Sequence, residues 1–201
     1  MENHRVYCLL LLLFSIHLSR AEDKVSAFEK TMKDSVLHYR DGKVTEALEA
    51  LQKAKGILET EQTKQVGNVL PDAPAAWKAE DLTTEDVPAY LGGGKVVKKQ
   101  YRATKGQEEI LVEIYFGSSM IKLIRGMYAN DQIAKSQGYR VKTAGGERVL
   151  IKDLPKNNLE ISMPLDDEIM IKMTGKDGTQ EDMMIKLLRD IDRRSLKTLV
   201  K

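Results

Sequence analysis

Cysteine is all but missing from this sequence. Cys8 stands alone among 201 residues, inside an N-terminal apolar run that the chain is expected to lose. The remainder then has no thiol for nucleophilic attack, disulfide formation, thiolate metal ligation or covalent haem attachment. Histidine is nearly as scarce. Of three in total, His4 and His17 fall within the first 21 residues, which leaves His38 for base catalysis or metal binding. A multi-histidine zinc or copper site within one chain is thereby excluded. Nor does either sign of charge dominate. Removing residues 1–21 takes away Arg5, Arg20 and Glu2 and leaves 30 Lys plus Arg against 29 Asp plus Glu. Charges so evenly matched make no field of the kind that attracts nucleic acid, and no nucleic-acid partner is expected.

What the N-terminus does have is the three-part layout of an export signal. Arg5 supplies the positive charge, and Val6 to Leu18 form an apolar core. Ser19 and Ala21 provide small residues before the polar Glu22, Asp23 and Lys24. The core is shorter than the roughly 20 residues a membrane-spanning helix needs. Cleavage is therefore expected after Ala21, giving a periplasmic or secreted protein with no stable membrane span. A retained signal anchor is the alternative. Cys8 sits at the start of the apolar core rather than its end, which argues against a lipid anchor.

Residues 22–62 read as a helical hairpin. Val25, Phe28, Met32, Val36 and Tyr39 recur every three or four residues. Asp41 and Gly42 then break the pattern, and Val44, Ala47, Leu48, Leu51, Ala54 and Leu58 resume it. The apolar stripe is expected to pack on the rest of the protein. Gly42, Ala47, Leu51 and Ala54 resemble the second half of a tetratricopeptide repeat, over some twenty residues and in one copy.

Residues 63–94 read as a Pro/Gly connector, with Pro71, Pro74 and Pro88 and the run Gly92-Gly93-Gly94. It carries the single tryptophan, Trp77, beside two prolines, which favours a fixed extended path with an aromatic anchor. Residues 95–201 then switch to the alternation of half-buried strands. Strands are expected at 96–104 and 110–116, a helix from Ser118 or Ser119 to near Gly138, four strands within 139–174, and a helix over 180–191. Met120, Leu123, Ile124 and Met127 form the expected buried stripe of the first of these helices. Met120, Met127, Met163, Met173 and Met184 are read as core rather than as copper ligands. The fold class is α+β: an N-terminal helical hairpin followed by an antiparallel β-sheet domain packed against two helices. In element order alone this resembles the sandwich of PsbP-like proteins, which implies no activity.

No catalytic, cofactor-binding or metal-binding residue stands out. His38 could pair with Asp34 one turn earlier, yet it has no evident nucleophile to activate. Gly92-Gly93-Gly94-Lys95 lacks the Ser or Thr and the helix that a phosphate loop requires. Lys95, Lys98, Lys99 and Arg102 make the densest basic stretch. Alternation puts Lys95 and Lys99 on one strand face and Lys98 and Arg102 on the other, where they read first as guards of an edge strand. With Trp77 they are the candidate partner-binding residues. Leu70 to Trp77, the glycine run and the basic strand together resemble a family of exported bacterial proteins of unknown activity, which implies a periplasmic setting and supplies no catalytic residue. The function expected is a non-catalytic module binding a protein or envelope component. The alternatives are a hydrolase or transferase using Asp, Glu, Ser or Lys in a cleft, and a small-ligand carrier.

Overall fold

A computed structural model describes residues 25–200. The expected export signal, residues 1–21, lies outside the described residues. The chain divides into two compact units, with the boundary between Gln62 and Thr63.

In the first unit helix α1, residues 25–40, is followed by α2, Val44–Asn68. Gly42 turns the chain with φ +76°, a left-handed conformation that favours glycine at a helix end. The helices meet through small residues. Thr31, Ser35, Ala47 and Ala54 are buried, and the Ser35 hydroxyl donates to the Ala47 carbonyl at 3.0 Å. The expected burial of the large stripe is not observed. Val25, Val36, Tyr39, Val44, Leu48, Leu51 and Leu58 are exposed, and Phe28 and Met32 are half-buried. The physical reason is spacing: side-chain size at the contact sets how closely two helices approach, and alanine and serine allow the closest approach.

The second unit is an antiparallel sheet of eight strands. They are β1 (Trp77–Ala79), β2 (Thr83–Asp86), β3 (Lys95–Ala103), β4 (Glu109–Phe116), β5 (Arg140–Ala144), β6 (Glu147–Leu154), β7 (Asn158–Pro164) and β8 (Ile169–Lys176). The order across the sheet is β1-β3-β4-β8-β7-β6-β5, with β2 also on β3. Register places Val97, Tyr101, Ile110, Val112, Ile114, Ile171, Met173, Ile161 and Ile151 on one face. All are fully buried. Against them pack Met184, Leu187, Leu188 and Ile191 of α5 (Glu181–Asp190) and its end, Leu196 of α6 (Arg193–Leu199), and Val66, Val69 and Leu70 at and just beyond the end of α2. At about 25 cal/mol per Å² of apolar surface removed from water, this layer is the main stabiliser of the unit.

Residues 63–94, read as a Pro/Gly connector on a fixed path, supply the end of α2, both short strands and a one-turn 3-10 helix, Ala89–Leu91. Two expectations change here. Strand β3 is not an edge, since β1 and β2 pair along its outer side. The helix expected from Ser118 to Gly138 is two: α3 (Ser119–Tyr128) and α4 (Asp131–Ser136). Asn130 makes the break by capping α4, its side chain accepting from the Gln132 amide at 2.8 Å. These two helices lie on the other sheet face toward β5 and β7. There Arg148 donates to the Tyr128 carbonyl at 2.9 Å, and the Tyr128 and Tyr139 rings meet edge-on at 5.0 Å. Helix α3 buries Ile121, while Met120, Leu123 and Met127 are exposed. Met163, Met173 and Met184 are in the core as expected.

Candidate functional site

Trp77 and the four cations occupy the β1–β3 side of the sheet. Trp77 pairs with Ala103 and packs, half-buried, against the core. The segment before it is pinned by β3. Lys99 Nζ and the Tyr101 hydroxyl both donate to the Pro71 carbonyl, at 3.2 and 2.8 Å. The Thr104 amide and hydroxyl bind the Ala76 carbonyl at 2.8 and 2.9 Å. Burial pushes the Tyr101 hydroxyl pKa up, helped by Asp72, so the donor stays protonated. Trp77 is thus an internal anchor.

Each candidate cation has a partner inside the unit. Lys95 pairs with Asp86 at 2.7 Å, and Lys98 with Glu85 at 2.7 Å and Glu113 at 3.9 Å. Arg102 pairs with Glu80 at 2.6 Å and Glu109 at 3.3 Å. Lys99 also sits over the Tyr101 ring, 5.5 Å from its centre. The register confirms the division between faces, Lys95 and Lys99 facing the core side and Lys98 and Arg102 the other. The basic stretch therefore stitches β1 and β2 onto β3, with Lys95, Lys98 and Arg102 paired to carboxylates and Lys99 bound to a carbonyl.

The outer sheet face carries a row of opposite charges. Lys98 faces Glu113 across β3 and β4, Glu113 faces Lys172 across β4 and β8, and Lys172 reaches Glu160 at 3.4 Å. Glu113 is buried, and Tyr115 donates to it at 3.1 Å. Tyr139 donates to Glu160 at 3.2 Å. Burial first, and the adjoining carboxylates second, raise both phenols above their usual range. Ser162 faces Lys172, and its hydroxyl donates to Glu160 at 3.5 Å. This set holds protons firmly and has its charges paired, so its chemistry is that of a structural ladder. Among the described residues no group of three His, Cys, Asp or Glu could hold a metal ion.

A cleft of about 610 Å³ lies between the β5–β6 turn and α6, lined by Gly145, Glu147, Asp192, Arg193, Arg194 and Lys197. Its polar groups are largely spent. Asp192 caps α6 by accepting from the Ser195 amide and hydroxyl at 3.1 and 2.6 Å, and these bonds hold its carboxyl below the usual range. Lys197 reaches Glu147 at 3.5 Å, and Arg193 binds the Gly145 carbonyl at 3.2 Å.

Large apolar side chains are also open to solvent. In the first unit Tyr39 and Leu48 are 70% and 62% exposed, with Val36, Leu37, Leu51 and Leu58 exposed beside them in sequence. In the second unit Tyr90, Leu91, Met120, Leu123 and Met127 are exposed. Sequence reasoning missed Tyr90 and Leu91. The clue was their setting between Pro88 and three glycines, which fixes a short turn that has no interior to hide them in. Comparison of the chain with protein families, with curated proteins and with solved structures found no match.

Proposed function

We propose that this chain is an exported, non-catalytic interaction module, periplasmic in a cell with two membranes, that docks a protein or envelope component through its helical hairpin. The observation that carries this reading is the inverted arrangement of the hairpin, with Ala47 and Ala54 inside and Leu48, Leu51 and Leu58 outside. Exposed leucines at helical spacing are what a partner helix or groove takes up. The export layout of residues 5–21 supports the address.

Capture from envelope extracts tests it, comparing the wild type with Leu48→Asp/Leu51→Asp. A saturable partner that the double variant loses supports the reading. Failure to capture any saturable partner, or equal capture by both proteins, rejects it.

A further inference from the structure

Each helix of the hairpin carries an exposed apolar stripe, and the two stripes lie on one side. On α2, Val44, Leu48, Leu51, Lys55 and Leu58 follow one another at intervals of four and three, the spacing of a helix–helix seam. The four apolar members are between 43% and 62% exposed. On α1, Val25, Val36 and Tyr39 are exposed, with half-buried Phe28 and Met32 between them. The helices touch through Thr31 and Ser35 in α1 and Ala47 and Ala54 in α2. At 3.6 residues per turn, each stripe is rotated from that contact by roughly 80°, in the same sense about both helices. In an antiparallel pair the same sense brings both stripes to the same side. The hairpin is thus half of a four-helix bundle.

The arrangement along the helices selects the other half. The Ser35 hydroxyl bonds to the Ala47 carbonyl, which sets Val25 level with Leu58, Met32 with Leu51, Val36 with Leu48 and Tyr39 with Val44. A two-fold axis parallel to the helices preserves every level and lays α1 of one copy on α2 of the other. Each of these apolar pairs is then repeated between copies. The same operation brings Glu29 level with Lys55 of the second copy. Glu29 is exposed at the border of the α1 stripe. Lys55, the one cation inside the α2 stripe, has a side chain 63% exposed and lies 3.5 Å from Glu59 of its own helix. Acids and bases nearly balance over residues 25–62, so two hairpins do not repel. A large apolar side chain taken out of water removes on the order of 100 Å². With seven of them exposed on each copy, a symmetric pair buries roughly 1,400 Å², within the range of about 1,200–2,000 Å² for stable interfaces.

We propose that this chain pairs with a second copy of itself, the two hairpins closing an antiparallel four-helix bundle about a two-fold axis parallel to the helices. The inference rests on the hairpin as the docking element and names its partner.

Analytical ultracentrifugation of the processed chain beginning at Glu22 tests it. The wild type is expected to show a concentration-dependent equilibrium of monomer and dimer. Leu48→Asp/Leu51→Asp should raise the dimer dissociation constant at least about a hundredfold, because it sets four carboxylates in an apolar seam. Glu29→Lys and Lys55→Glu should each raise it by about tenfold, since the symmetry makes every like-charge contact twice. The two substitutions in one chain should restore it, and mixing the two single variants should give the heterodimer. The stripe lies outside the fold of one chain, so each variant, when dilute, is expected to melt like the wild type. A wild type that stays monomeric, or a leucine variant that still dimerises, overturns the pairing. A dimer indifferent to the charge exchange overturns the two-fold arrangement. A monomer that captures a saturable envelope partner through Leu48 and Leu51 overturns the pairing and leaves hairpin docking standing, whereas a monomer that captures nothing rejects both.

Discussion

The two units use the same residue types in opposite ways. In the sheet unit Ile171, Ile161 and Met173 are wholly buried, and the residues alternating with them are polar or half-buried. In the hairpin the small Ala47 and Ala54 are inside, while Leu48 and Leu51, neighbours on the same helix, face water. Periodicity in both regions marks an apolar face. It does not say whether that face closes on its own chain or stays open, because helices that meet through alanines leave their leucines at the flank.

The sharpest way to break the comparison is to divide the chain. A fragment starting at Thr63 keeps Val66, Val69, Leu70 and all eight strands and is expected to melt cooperatively in calorimetry. One starting at Gly92 loses β1, β2 and those three core residues and is expected to be molten or insoluble; a cooperative melt would show the first strands to be ornaments. Next in size, Ile171→Ala should cost about 4 kcal/mol in denaturant unfolding, whereas Leu48→Ala should change stability by less than about 0.5 kcal/mol. Similar losses at the two sites would mean that the hairpin surface is covered. Tyr101→Phe removes the donor held 2.8 Å from the Pro71 carbonyl and should cost about 1 kcal/mol, with a red shift of Trp77 emission as the segment loosens.

The smallest effect concerns acid. Burial pushes the Glu181 carboxyl up, but hydrogen bonds from Lys142 and Arg140 outweigh it and hold the group below its usual value of 4.5. Stability from this group is therefore present above that value and lost as pH falls through the lower folded one. Replacing Glu181 by Gln should flatten the acid limb of a pH–stability curve. An unchanged limb would show these surface bonds to contribute nothing.

Much of the sheet was legible because β3, β4, β6, β7 and β8 alternate between faces and are separated by turn residues. The short strands were not. Thr83 to Asp86 is exposed throughout and has no apolar signature; it is a strand because β3 offers backbone groups to pair with and lysines that reach Glu85 and Asp86. The α3–α4 break was legible in principle, since Asn130-Asp131 is a helix-starting pair. The apolar periodicity running across it hid the break. The candidate site was less legible than the fold. Lys95, Lys98, Lys99 and Arg102 were visible as a basic stretch, but their partners Asp86, Glu85, Pro71 and Glu80 come from chain that looked like a linker. Tyr90 and Leu91 drew no notice because two residues have no period.

The row Lys98, Glu113, Lys172 and Glu160 also bears on how this sequence can drift. Each position faces a neighbour of opposite sign, so reversing Glu113 alone would set three lysines side by side on adjoining strands. A lineage can change the sign of one position only by changing its neighbours too. The four residues are therefore expected to vary together in related chains.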